Sequence, residues 1–367
     1  MKINFKKQFK FFNPEEFGLN PDFRLTDYAS LKGCCSKVPQ GKLKEYIKEI
    51  GDGSIGKETP DCAVYEVKDS KENYRQISTC DFFYPLISDP YLQGKIAVAN
   101  VLSDVYAMGV PHVDNVLMIL GVSKLMNEKE REVVTSEMIR GFNEHAIEAE
   151  TKVTGGQSVM NPWPMIGGTA ISVVKEEDIV YPSNIEVNDH LILTKPLGTQ
   201  IAVNAIEWMN KKNDNYKKAL EVGVSDNDIK EMFNVAVESM MRLNRKAASI
   251  MKKYNSHGAT DITGFGFLGH ARNLVQAQKS NMEFYIESLP LIRHTEKINK
   301  EVHNFELTDG WSAETSGGLL IAVDPNFSKE FINEMINSGE DAWIVGYVKE
   351  SDDKKVTFSQ NLEIISV

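Results

Sequence analysis

Residues 94–108, GKIAVANVLSDVYAM, constrain the fold more than any other stretch of the chain. Ile96, Ala97, Val98, Ala99, Val101, Leu102, Val105, Ala107 and Met108 have the composition of a helix buried in a protein interior. Asn100 and Asp104 interrupt it, and at four residues apart they share one face. A carboxylate buried there requires a cation, a metal or several hydrogen-bond donors. The bland alternative is a structural hydrogen bond to a neighbouring turn.

The surrounding sequence reads as an ordinary globular protein. The chain has 367 residues, 42% hydrophobic and 25% charged, enough for two domains with separate cores. Lys plus Arg is 41 and Asp plus Glu is 52, a net charge of −11, which argues against broad nucleic-acid binding. Apolar runs fall short of the ~20 residues that span a bilayer, so no membrane partner is expected. The start, MKINFKKQFKFF, is basic and aromatic without the apolar stretch of a signal peptide, and reads as a flexible or docking tail. Cys34, Cys35, Cys62 and Cys80 form no CxxC pair and are too few for a disulfide framework, so a cytoplasmic setting is expected.

Residues 13–60 are rich in Gly and Pro, with one expected helix at 40–50. Strand-like runs follow at Cys62–Val67 and Tyr74–Thr79, then the buried helix, a strand in VDNVLMILGVS and an amphipathic helix from Glu128. TKVTGGQSVM is read as entering a Gly-Gly turn, and GGTAISVVK as a strand. The polar stretch at 180–190 suggests a break. Beyond it LILTKPLGTQ begins a strand and loop, helices are expected at 199–212, 226–254 and 267–279, and MEFYIESLP, GGLLIAVD and DAWIVGYVK look like strands. Both halves mix strands and helices, the pattern of α/β (α+β) domains. TGGQ and TSGGLL raise the idea of an internal duplication.

Four places could carry chemistry. In LKGCCSKVPQ, Cys34 and Lys37 share a glycine- and proline-flanked loop, where an ammonium favours the nucleophilic thiolate; a small hydrophobe beside a solvated lysine fits the same letters. Cys62 and Cys80 are assigned to packing. Asp61, Asp81 and Asp104 are three carboxylates in one short stretch, the donor type that hard cations such as Mg²⁺ prefer; caps and turns are the alternative for the first two. ATDITGFGFLGHA contains Gly264, Gly266 and Gly269, a literal GxGxxG. A dinucleotide-binding reading is rejected because a helix pattern, not a strand, precedes it, while a glycine turn opening a helix beside Asp261 remains a good anion site. Finally, Gly155 and Gly156 permit backbone approach to a ligand, and Gln157 donates hydrogen bonds. The histidines, His270 included, show no zinc spacing.

Together LKGCCSKVPQ, STCDFFYPLISDPYLQGKIAVANVLSDVYAMGV, VTGGQSVMNPW, LTKPLGTQIAV, RLNRKAA, ATDITGFGFLGHA and ETSGGLL resemble the selenophosphate synthetases (selenide, water dikinases) of the eukaryotic-like branch. The resemblance covers nearly the whole chain. It implies a two-domain aminoimidazole ribonucleotide synthetase-like (PurM-like) fold, a homodimer, and a reaction in which ATP, selenide and water give selenophosphate, AMP and phosphate. The product supplies selenium for selenocysteine and selenated tRNA. The implied layout is a flexible segment at 1–60, an ATP- and Mg²⁺-binding domain at 61–185 and a second domain at 186–367. By motif position, Cys34 matches the reactive Cys or selenocysteine and Lys37 the essential lysine. Lys37, Thr59, Pro60, Asp61, Asp81, Asp104, Gly155, Gly156, Gln157 and Ser158 match nucleotide contacts. Asp61, Asp104 and Asp261 match the Mg²⁺ ligands, and a monovalent cation such as K⁺ is a further implied ion. One departure stands out: where the family has a reactive residue, Gly, Cys and Lys, this chain has Cys34, Cys35, Ser36 and Lys37. Other ATP-using enzymes of the fold group lack the Cys-x-x-Lys loop, and a regulatory paralogue without selenide chemistry lacks the reactive residue.

Overall fold

The computed structural model describes residues 9–33, 36–38, 42, 45–46, 61–68 and 72–367. Lys42, Glu45 and Tyr46 are helical, and the rest of the expected 40–50 helix lies outside the described residues.

The first half is a five-stranded sheet with helices on one face. Its strands are β1 (Ala63–Glu66), β2 (Tyr74–Phe83), β3 (Asn115–Ser123), β4 (Val153–Asn161) and β5 (Met165–Lys175), ordered β1-β2-β5-β3-β4. Helix α1 (Pro90–Ala107) is the buried helix the sequence demands. Asp89 caps it by accepting from the Leu92 N–H at 2.9 Å, and Pro90 opens it where no N–H is needed. Helix α2 (Glu128–Glu148) starts on a capping box made by Asn127 and Glu130. The two helices touch backbone to backbone because each offers a glycine at the crossing. A methyl group on Gly94 would sit 2.2 Å from the Met138 carbonyl oxygen, and one on Gly141 1.9 Å from that of Tyr91.

The second half is a six-stranded sheet built from β6 (His190–Leu193), β7 (Gly258–Asp261), β8 (Met282–Leu291), β9 (Leu319–Val323), β10 (Trp343–Glu350) and β11 (Lys355–Ser366). Its order is β11-β8-β10-β6-β9-β7. Around it lie α3 (Thr199–Lys211), α4 (Asp214–Glu221), α5 (Asp226–Met241), α6 (Arg245–Lys253), α7 (Gly266–Gln276), α8 (Thr295–Glu301) and α9 (Ser328–Asn337). Helix α1 packs on β2 and β5 from its own half and on α5, α6 and β7 from the other. Ile96, Val98, Val101, Leu102 and Val105 are all fully buried. The helix is buried over most of its surface because both halves cover it.

Several expectations need correction. The long helix at 226–254 is two helices, broken at Arg242–Asn244. No Pro or Gly marks the break. Tertiary contacts impose it: the Arg242 guanidinium donates to the Thr194 carbonyl and to Asp341, both at 3.0 Å, and the Asn244 amide bonds Ser103 and Gly317. A strand, β7, does precede the GxGxxG, contrary to the premise used above; its four residues are all buried, so no alternation betrays it. The dinucleotide reading still fails, because β7 is an antiparallel edge strand paired with β9. TKVTGGQSVM is no turn but edge strand β4, parallel to β3. The two Gly-Gly pairs are not equivalent, since one lies in β4 and the other precedes β9, which pairs on both sides. Cys80 is exposed rather than packed, whereas Cys62 is buried. Helices α4, α8 and α9 and strand β11 are additions to the expected elements.

Gly141→Ala is expected to destabilise the fold by about 1–3 kcal/mol or more, since the new methyl meets backbone that cannot yield. A lowered midpoint of thermal unfolding checks this, and an unchanged midpoint contradicts the close α1–α2 crossing.

Candidate active site between the two halves

The site is assembled by the ends of elements from both halves. Asp61 precedes β1, Asp104 lies on α1, and Asp261 closes β7. Ligand oxygens of these three carboxylates lie within 4.8 Å of one another. Each is held from behind. The Thr79 hydroxyl donates to Asp104 Oδ2 at 2.5 Å, and the Thr260 hydroxyl donates to Asp61 Oδ1 at 3.2 Å. Ser103, one residue before Asp104, hydrogen-bonds Asp261. Asp61 Oδ2 is shielded from solvent with no hydrogen-bond partner.

Such a cluster is electrostatically unfavourable alone. Burial, then the charges of Asp261, Asp81 and Asp61, raise Asp104 far above the usual carboxylate range. Burial and Asp261 likewise raise Asp61, and burial raises Asp261. Like charges at this separation repel by about 3 kcal/mol per pair at an effective dielectric constant of ~20. Among the chain's own cations Lys37 lowers the pKa of all three, and Lys195 also lowers that of Asp261. The Lys37 Nζ lies 3.6 Å from Asp81 Oδ1 and 6.0 Å from the centre of the Phe265 ring. Three oxygen donors, one orphaned and aimed inward, suit a hard divalent cation. A cation there would convert repulsion into attraction.

Asp81 is on β2, and Asn100 of α1 donates to its Oδ2 at 2.8 Å. Asn100 and Asp104 thus face the site from one side of α1, as their spacing predicts. Cys34, Cys35, Thr59 and Pro60 lie outside the described residues. On either side of the cysteines, the Gly33 N–H donates to the Tyr84 carbonyl at 3.0 Å and the Ser36 hydroxyl to the Gly33 carbonyl at 2.8 Å. These bonds fix both flanks near the end of the strand that carries Asp81.

Gly155, Gly156, Gln157 and Ser158 are not brought to the carboxylates within one chain. The register runs Asp81 to Gly168, Gly168 to Met118, and Met118 to Gly156. Three strand spacings separate Gly156 from Asp81, about 14 Å. Gln157 is in register with Ile119, on the sheet face opposite to Asp81. Gly156 itself has φ +140°, and a methyl group there would lie 1.8 Å from the Met118 carbonyl oxygen. Glycine is therefore required here by strand geometry alone.

Sequence reasoning missed the supporting groups. Thr79, Ser103 and Thr260 are common residue types, and only their position beside a carboxylate marks them. His270 was noted only as isolated. It is buried, and its Nε2 accepts from the Thr263 hydroxyl at 3.1 Å and the Phe265 N–H at 3.4 Å. Burial pushes its pKa down to about 3, so the ring is a neutral brace for the glycine turn.

Comparison with known proteins agrees with this architecture. The AIR synthase related protein models match, the N-terminal domain over residues 59–174 and the C-terminal domain over 186–359. Thiamine monophosphate kinase from Aquifex aeolicus has a similar fold, with a TM-score of 0.61 at 16% identity over 87% of this chain and 98% of that one. Fold and matched domains define an AIR synthase-related protein. The Trypanosoma brucei brucei protein "Selenide, water dikinase" is 43% identical over 368 residues, covering 97% of this chain and 93% of its own length. The Dictyostelium discoideum protein of the same name is 46% identical over 327 residues, 89% of this chain and 88% of its own. The chain belongs to the selenide, water dikinase family.

Mg²⁺ in excess over its dissociation constant is expected to raise the unfolding midpoint, by about 2–3 kcal/mol of stability at a hundredfold excess. Asp104→Asn removes a ligand and should abolish that rise. An equal rise in both proteins places the ion elsewhere.

Proposed function

We propose that this chain converts ATP, selenide and water into selenophosphate, AMP and phosphate, the selenium donor for selenocysteine and selenated tRNA. The observation that supports the reading best is the convergence of Asp61, Asp104 and Asp261 beside the Lys37–Asp81 pair, in a chain of this family. ATP and hydroselenide are both anions, so their encounter in an acidic cleft needs cations.

Asp61, Asp104 and Asp261 are the residues that would hold Mg²⁺, assisted by Asp81. Bound Mg²⁺ supplies neutralisation of phosphate charge and Lewis acidity. Lys37, oriented by Asp81, stabilises the charge that develops as the γ-phosphoryl departs. Cys34 is assigned to selenium delivery by its motif position, and Lys37 follows it by three residues. The second step, hydrolysis of ADP, uses a water whose base is not assigned to any residue. K⁺ is the proposed monovalent ion, and the cytoplasm the proposed compartment. No helix among the described residues is long and apolar enough to cross a membrane.

The proposed assembly is a homodimer closed by the bare face of the first sheet. Register places Tyr65, Phe82, Val159 and Val173 on that face, opposite to the one covered by α1. All four are exposed, between 43% and 65%. Apolar side chains gathered on one sheet face favour a second layer.

Anaerobic incubation with ATP, Mg²⁺ and selenide, followed by phosphorus NMR, tests the reaction. A P–Se species and AMP in equal amounts are expected. Lys37→Ala should lose selenide-dependent turnover with the fold intact, and Cys34→Ser should slow the reaction at limiting selenide. ATP binding without any P–Se product would make the chain a nucleotide-binding regulator instead. Val159→Lys should shift the species seen by sedimentation from dimer to monomer; a monomeric wild type would refute the assembly.

A further inference from the structure

Lys195 follows β6 and is 1% exposed. Its Nζ donates to two backbone carbonyls, Arg242 at 2.6 Å and Ser316 at 2.9 Å. Burial, and then the nearby Arg242 guanidinium, hold its pKa well below the lysine range. The Glu340 and Asp261 carboxylates act against this shift, but the hydrogen bonds of Lys195 go to the two carbonyls, and an ammonium this deeply buried is a poor device for stability, since an apolar chain of similar length avoids its desolvation. What the ammonium supplies is direction, a fixed hold on two oxygens.

The Ser316 side of that hold leads to the site. Ser316 has φ +49°, a left-handed backbone in a residue other than glycine. Its N–H donates to Asn100 Oδ1 at 3.0 Å. Asn100 Nδ2 donates to Asp81 Oδ2 at 2.8 Å, and Asp81 Oδ1 lies 3.6 Å from Lys37 Nζ. The line of contacts passes from the second half to the first at the Ser316–Asn100 bond. Asn244 separately ties the next residue, donating to the Gly317 carbonyl at 2.9 Å and to Ser103 at 3.0 Å. Loss of Lys195 therefore releases Ser316 without freeing the whole loop.

We propose that Lys195 is a positioning residue for Lys37, acting through Ser316, Asn100 and Asp81. It holds the strained Ser316 backbone so that its N–H meets Asn100, and Asn100 in turn aims Asp81 at the reactive lysine. The inference rests on the proposed selenophosphate reaction for its kinetic readout, but not for its structural one.

The test compares wild type, Lys195→Met and the double variant Lys195→Met/Ser316→Gly for selenide-dependent AMP formation and thermal unfolding. Lys195→Met is expected to unfold near the wild-type temperature, with kcat lowered about 10- to 100-fold by misplacement and the KM for ATP little changed. Adding Ser316→Gly should restore most of the turnover, because glycine adopts left-handed backbone without being held there. A purely structural lysine would lower the unfolding temperature and leave kcat per folded molecule unchanged, which overturns the proposal. So does a kinetic loss that Ser316→Gly does not relieve. If Lys195→Met does not fold, Lys195→Gln, which keeps an N–H donor, takes its place. If the wild type itself makes no selenophosphate, the functional reading fails, and crystal structures decide the relay. The Ser316–Asn100 bond broken in the Lys195 variant supports it; all contacts intact refutes it.

Discussion

Everything in the site depends on one awkward burial. Helix α1 is buried over most of its surface, yet it carries Asn100 and Ser103 into the interior and a half-buried Asp104 to the site. Buried polar groups without partners cost several kcal/mol each in an apolar medium. The second half supplies the partners: the Ser316 N–H meets Asn100, the Asn244 amide meets Ser103, and Ser103 meets Asp261. The same contacts that join the halves therefore assemble the acidic cluster. Position and stability are not separable here, because the polar stripe of α1 is only partly answered within its own half, by Asp81 and Thr79, and is completed from the second.

Charge is the second constraint. Asp61, Asp104 and Asp261 sit within 4.8 Å of each other in a chain of net charge −11. Burial raises the pKa of all three, neighbouring carboxylates raise them further, and Lys37 acts against this at each, joined at Asp261 by Lys195. A site arranged this way is poised for a cation and disfavours an unaccompanied anion. This logic agrees with the proposed substrates, whose negative charges have to be neutralised before they meet. His270 shows the complementary device, a group kept neutral by burial so that it braces a turn without adding charge.

Edge strand β4 lies apart from the acidic cluster, on the outer margin of the first sheet. VTGGQSVMN is exposed along nearly its whole length. Within one chain it lies about three strand spacings from Asp81. A glycine pair in a strand mimics a turn in sequence, because both settings select for the missing side chain. Gly156 is demanded by the approach of the Met118 carbonyl whatever it binds.

The sequence by itself determined the buried helix and most of the strands around it, because these follow from apolar periodicity, while the family and the grouping of Asp261 with Asp61 and Asp104 came from the resemblance of whole motifs rather than from spacing. Asn100 and Asp104 were legible as one face, since four residues close a helical turn. Strand β7, the break at Arg242–Asn244 and the Lys195–Ser316 contact were decided only by the tertiary structure. Each joins residues far apart in the chain, such as Asn100 and Ser316, through hydrogen bonds that leave no mark on local pattern. Local propensity is a property of neighbours along the chain, whereas a buried polar group is satisfied by whichever partner folding brings beside it.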